Sequence, residues 1–187
     1  SAMNLLQSLH NPSHRIGFHY FPDSLHYRES DLNKWLPELI ALGARWLVLT
    51  SSTARAIPEF FIRKVVEAGI EPIIQFSEDP IFQSVDTRLL SPLMNSYARW
   101  GCKVIQFFDQ PNSRSSWGKE TQSNTNPVDR FLDSWLPLAN LTIQSGMLPL
   151  MPSLEPGGTY WDTAFFLATL QRIRQRQQKD ILENIIL

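Results

Sequence analysis

Val104 to Asn112 reads VIQFFDQPN. Val104, Ile105, Phe107 and Phe108 form an apolar run of strand length, and it stops on Asp109, Gln110, Pro111 and Asn112, which are polar or turn-forming. Any chemistry carried by this segment therefore begins at that end. Outward from it, the same grammar recurs: Gly43 precedes ARWLVL, Gly69 precedes IEPIIQF, Gly101 precedes CKVIQFF and Gly146 precedes MLPLMP. Each glycine follows an amphipathic segment. The spacing predicts a helix that stops with glycine in the left-handed position past its last turn, followed by an apolar strand buried on both faces. Strands alternating with helices through right-handed crossovers make a parallel sheet.

In chain order, Arg15 to Phe21 predict the first strand. A helix follows from about Asp31, with Leu32, Trp35, Leu36 and Leu39 on one stripe and Pro37 interrupting it. Strand two, Arg45 to Leu49, empties into Thr50, Ser51, Ser52, Thr53 and Arg55. Pro58 and Glu59 open the second helix, where a fixed φ and an acidic first turn favour a start. Strand three ends at Gln75, Phe76, Ser77, Glu78 and Asp79, and Ser91-Pro92 signal the third helix. The polar segment from Ser113 to Asn126 carries Arg114, Trp117 and Lys119. Asn126-Pro127 then cap a helix whose apolar face is Val128, Phe131, Leu132, Trp135 and Leu138, interrupted by Pro137. Strand five, from Met147, reaches Glu155-Pro156-Gly157-Gly158, where the glycine pair reads as a tight turn rather than a phosphate cradle. A helix near Asp162 packs Phe165, Phe166 and Leu170 and becomes polar through RIRQRQQK. Asn184 to Leu187 open a sixth strand.

The strand-four segment resembles the clan of retaining glycoside hydrolases built on the (β/α)8 barrel, where an apolar strand ends in Asn-Glu-Pro and the Glu is the general acid/base. The resemblance places Asp109 on the Asn and Gln110 on the Glu, and an amide neither gives nor takes a proton near neutral pH. In that clan the nucleophile is a glutamate ending strand seven, which would lie beyond Leu187. Retaining chemistry needs two carboxyl groups roughly 5 Å apart. The resemblance therefore implies a glycoside-hydrolase-like domain that binds carbohydrate without hydrolysing it. A complete barrel takes roughly 250 residues; residues 1–187 form a single domain with about five and a half of the eight βα units. Aromatic and polar residues collect after the strands, as expected of a barrel's functional face.

Among strand-end carboxylates, Asp23, Glu78, Asp79, Asp109 and Glu155, the best titrating candidate is Glu155, which follows an apolar strand, with Asp109 second. Gln110, Asn112, Trp117, Tyr160 and Trp161 are candidates for contacting a sugar, the aromatic rings by stacking. His19 and His26 have no second ligand at metal spacing, so no metal site is expected. No dinucleotide fingerprint or P-loop is present, so no cofactor is expected either.

With 187 residues, 43% hydrophobic, 19% charged and a formal net charge of -1, the chain has the composition of an ordinary globular domain and lacks the field that recruits nucleic acid or anionic membranes. No run approaches the roughly 20 apolar residues of a membrane helix. The lone Cys102 reads as a small buried residue and leaves the compartment open. The N-terminus lacks the pattern of an export signal, and Ser1 and Ala2 ahead of Met3 read as cloning remnants. An incomplete barrel leaves open sheet edges, and these predict self-association. The alternative is a non-catalytic structural or protein-interaction domain on the same scaffold.

Overall fold

The computed structural model describes residues 16–76, 86–113, 116 and 126–187. The strands β1 (Gly17–His19), β2 (Trp46–Ser51), β3 (Glu71–Phe76), β4 (Val104–Phe107) and β5 (Leu148–Leu150) alternate with α1 (Glu29–Ala41), α2 (Glu59–Glu67), α3 (Thr87–Arg99), α4 (Pro127–Gln144) and α5 (Asp162–Gln175), and α6 (Lys179–Asn184) follows. They form one five-stranded sheet in the order β1-β2-β3-β4-β5. Every neighbouring pair is parallel, with Val48 opposite Ile73 and Leu49 opposite Ile74. This is the arrangement the helix-glycine-strand repeat predicts.

The repeat has one local cause. After α1, Gly43 N donates to Ile40 O and Ala44 N to Leu39 O; after α2, Gly69 and Ile70 do the same to Val66 and Val65. Gly101 with Cys102, and Gly146 with Met147, close α3 and α4 in the same way. All four glycines have positive φ, between 73° and 107°. This double bond satisfies two orphan carbonyls and leaves the next residue against the helix's last turn. Cys102 occupies that position, which accounts for its burial. Helix α5 ends identically without a glycine: Gln177 takes φ 57° and donates to Arg174 O, and Gln178 donates to Ile173 O.

Residues paired in register share a face of the sheet. Leu49, Ile74 and Ile105, in one row, are fully buried in the core beneath the helices with Phe61, Met94, Phe131 and Phe165. The other face carries a row of Val48, Ile73, Val104 and Leu148, and next to it, nearer the strand C-termini, a row of Thr50, Gln75, Gln106 and Leu150. Ile73, Val104 and Leu148 are buried yet lie outside the helix-side core. This second face is the inner wall of a barrel.

Several boundaries depart from the sequence reading. β1 is shorter, although Tyr20 N still donates to Val48 O at 3.0 Å; Arg15 lies outside the described residues. Helix α1 starts before Asp31, at Glu29, and retains Pro37. Helix α3 starts at Thr87 rather than at Ser91-Pro92, because Asp86 is the cap: its side chain accepts from Arg88 N at 2.9 Å. Pro92 then lies inside the helix. Asn126 caps α4 by accepting from Val128 N, with Pro127 first in the helix. The expected apolar face of α4 is buried throughout, although the Trp135 indole N–H has no partner among the described residues. Strand β5 is confined to Leu148–Leu150. Asn184 belongs to α6, and the sixth strand begins only at Ile186, which bridges Leu150 in parallel and donates to Pro149 O.

Candidate functional site

The strand-four segment does not continue its alternation past Phe107. In register, Phe108 would point to the inner face after Val104 and Gln106; instead its φ of 66° turns the ring into the core, 4% exposed and edge-on to Phe131 at 6.3 Å. Its amide still donates to Phe76 O. A bulky residue in this region costs about 1–3 kcal/mol, and burying a phenylalanine contributes about 1.5–3 kcal/mol, so packing offsets the strain. Gln110 is left-handed as well, at φ 46°. Its amide donates to Ser153 O at 2.8 Å and its carbonyl accepts from Ser113 N.

The loop after β4 is fastened to the loop after β5. Asn112, 2% exposed, donates through Nδ2 to Glu155 O at 2.7 Å and Tyr160 O at 3.1 Å, and accepts through Oδ1 from Glu155 N at 2.8 Å. Its own carbonyl accepts from Tyr160 N. Glu155 to Gly158 form a turn with Pro156 second and Gly157 third at φ 64°, closed by Gly158 N donating to Glu155 O. A Cβ at Gly158 would lie 2.7 Å from Asn112 Nδ2. The glycine pair is thus a turn fitted around an asparagine.

The structure thus brings Asn112, Glu155 and Tyr160 together through their backbones. The Asn112 side chain is consumed by this fastening. Tyr160 packs edge-on to Phe165 at 5.5 Å, whereas Trp161, the residue capping α5, is 71% exposed. Asp109 is exposed on the rim, and Ser116 Oγ donates to its carbonyl. Glu155 is half-buried, and neither its carboxylate nor that of Asp109 forms an ion pair with a described residue. Trp117, Glu78, Asp79, Arg114 and Lys119 lie outside the described residues. Among the described residues, no group of three or more His, Cys, Asp or Glu is placed to hold a metal ion, and no helix is long and apolar enough to cross a membrane.

Elsewhere on the strand C-terminal side, two features stand out. Gln75 and Gln106 are register partners on the inner face, 9% and 4% exposed, and Gln106 Nε2 donates to Phe108 O. The repeated tetrapeptides IIQF and VIQF at 73–76 and 104–107 are their sequence signal. Second, two buried phenols tie down the C-terminal end of β2. Tyr27 Oη donates to Thr50 O at 2.7 Å; Tyr97 Oη accepts from Ile57 N at 2.8 Å and shares a hydrogen with Ser51 Oγ at 2.6 Å. Burial drives the Tyr97 phenol up to about 12, against the pull of its Ser51 and Ile57 bonds, and raises that of Tyr27 too. On the β1 loop, the Leu25 amide and then His26 Nδ1, each 2.8 Å away, hold the Asp23 carboxyl below its ordinary range.

No protein-family profile matches the chain, and no curated protein matches it by sequence. Solved structures do. It is similar to an L-ribulose 3-epimerase at 15% identity and TM-score 0.61, covering 92% of this chain and 59% of that one. It is also similar to a D-psicose 3-epimerase studied with D-fructose, at 11% identity and TM-score 0.52, over 83% of this chain and 58% of that one. A D-psicose 3-epimerase from Clostridium cellulolyticum H10, solved with D-tagatose, matches at 13% identity and TM-score 0.55, over 84% and 59%. The chain spans under three fifths of the length of these structures. At such identities the likeness defines the fold: an α/β chain with five parallel strands, matching part of a TIM-barrel-like scaffold.

Proposed function

We propose that this chain is a carbohydrate-binding domain derived from a TIM-barrel scaffold, without glycosidase activity of its own. The observation that carries the reading is the pairing of Gln75 with Gln106 above an apolar row on the inner face. Each amide offers an acceptor and a donor, one Gln106 donor being already engaged by Phe108 O, and these complement a sugar's vicinal hydroxyls, while the apolar row below suits its C–H face. With strands about 4.8 Å apart, Thr50, Gln75 and Gln106 span about 10 Å, a monosaccharide's reach. The sugar epimerases among the structural neighbours support this reading. The glycoside-hydrolase-like reading is supported only by the strand-four resemblance, and Phe108 moves the residues after it off the strand's alternation.

Titration with D-fructose, followed by tryptophan fluorescence and amide chemical shifts, tests this. Saturable binding is expected, weakened about tenfold, or about 1.4 kcal/mol, by Gln106→Leu. Absence of saturable binding, or binding indifferent to both Gln75→Leu and Gln106→Leu, overturns it. On activated aryl glycosides, the chain and its Gln110→Glu variant are both expected to be inactive, because restoring one acid does not by itself supply the second carboxyl group that retaining chemistry requires. Hydrolysis abolished by Glu155→Gln would overturn that.

One observation favours the interaction-domain alternative. Among the described residues β1 pairs only with β2, and beside it lies a groove of about 510 Å³ lined by Phe18, Trp35, Leu39 and Leu42. An open edge with an apolar flank suits a second copy of this chain. Light scattering reporting a dimer that Leu42→Lys disrupts would support it; a concentration-independent monomer would not.

A further inference from the structure

We propose that the cavity over the C-terminal ends of β1 and β2 binds the anionic end of a ligand, a phosphate ester or a carboxylate carried on a sugar; only the sugar part rests on the reading above. The cavity measures about 360 Å³, and its wall includes Arg28, Arg55, Ser24, Ser52, Tyr27 and Ile57. No carboxylate of the described residues lines it. Arg63, Arg88, Arg172 and Arg176 are each paired with an aspartate or glutamate, whereas Arg28 and Arg55 form no side-chain ion pair with a described residue.

Of the acidic groups nearby, Glu29 lines a different groove and three others have partners of their own. Asp31 accepts from the Arg28 backbone amide at 3.0 Å, Asp23 is held by Leu25 N and His26, and Glu59 pairs with Arg63 at 2.7 Å. The two walls are also braced. On the Arg55 side, Ile57 is 2% exposed with its amide on Tyr97 Oη, and Ser52 Oγ accepts from Ala54 N at 3.0 Å. On the Arg28 side, Tyr27 Oη anchors to Thr50 O. Both guanidiniums are thus carried on backbone that need not reorganise, and a planar fork suits phosphate or carboxylate oxygens better than a sugar hydroxyl. Tyr27 of the cavity wall donates to Thr50 O, and Thr50 is in register with Gln75 and Gln106, so the sugar part of the ligand is assigned to that row.

The test uses the full chain labelled with 15N, observing arginine Nε–H signals during titration with inorganic phosphate, D-fructose 6-phosphate, D-gluconate and D-fructose. Arg28 and Arg55 signals are expected to shift with the anions, while that of Arg63 stays still. Binding of D-fructose 6-phosphate about tenfold tighter than D-fructose identifies the phosphate source, and a like preference for D-gluconate identifies the carboxylate. Arg55→Gln is expected to weaken anion binding about tenfold with D-fructose affinity unchanged, and Arg55→Lys to restore only part. Inorganic phosphate shifting both arginines while no sugar binds along the glutamine row would leave this site standing and remove the sugar reading. No anion-dependent shift at Arg28 or Arg55, or anion affinity unchanged in folded Arg28→Gln and Arg55→Gln variants, overturns the proposal.

Discussion

Asn112 grips the Glu155 peptide from both sides, accepting from its N–H at 2.8 Å and donating to its C=O at 2.7 Å. A side-chain amide thereby does what a ladder residue would do between two strands, but across loops 43 positions apart in sequence. Asn112→Ala is expected to destabilise the fold by roughly 2–4 kcal/mol, since three bonds are lost and the peptide groups of Glu155 and Tyr160 are left short of partners. Urea denaturation measures it, and a loss below 1 kcal/mol would mean that water replaces the amide.

Tyr97 makes a second such tie. Tyr97→Phe keeps the ring's packing but strands the buried Ile57 amide and leaves the Ser51 hydroxyl with Ser52 O alone, so a loss of about 1–3 kcal/mol is expected. The loop that carries Arg55 should loosen with it. Hydrogen exchange at Ile57 is the local readout, and unchanged protection there would contradict the bracing assigned to this phenol.

Alkaline pH should unfold this protein earlier than its charge balance implies. Burial raises the Cys102 thiol from 9 to about 12, and raises the Tyr20 and Tyr97 phenols from 10 to about 12. A group whose folded value is raised contributes stability fully present below its unfolded value and lost as pH rises through the folded one. Stability should therefore fall from about pH 9 upward, and most steeply between about 10 and 12. The same burial predicts that a thiol reagent labels Cys102 only on unfolding. Urea midpoints measured across that range check the first expectation, and fast labelling under native conditions would refute the second.

The fold was legible because its signals are local. Each glycine after an amphipathic segment states where a helix ends, and the following apolar run states where a strand begins, so the parallel order could be read without any long-range information. The site was less legible. Asn112 and Tyr160 stood out as polar and aromatic residues after strands, but their work is hydrogen bonding and packing, which depends on partners about 40 residues away. Phe108 escaped because nothing in VIQFF announces a left-handed phenylalanine. Arg28 and Arg55 escaped because whether an arginine has an ion-pair partner among the described residues depends on side-chain placement, and the adjacent Glu29 and Asp31 hide it in the sequence. Asp86 escaped as a cap because Ser91-Pro92 carries a similar signal a turn and a half later.

A sheet in which every strand lies beside its neighbour in sequence behaves, energetically, like a chain of coupled springs. Each βα unit is held by the units before and after it, so cooperativity passes along one dimension and fades toward the two ends. β3 pairs along all six of its residues with β2 and along four with β4, whereas β1 and β5 present three residues each. Amide protection should peak at Ile73 to Phe76, decline through β2 and β4, and be weakest at Gly17, since β5 is flanked by the Ile186 bridge. A flat profile would mean that the five strands open only together. Units joined this way also tolerate gain or loss at either end, because no strand pairing is interleaved with another.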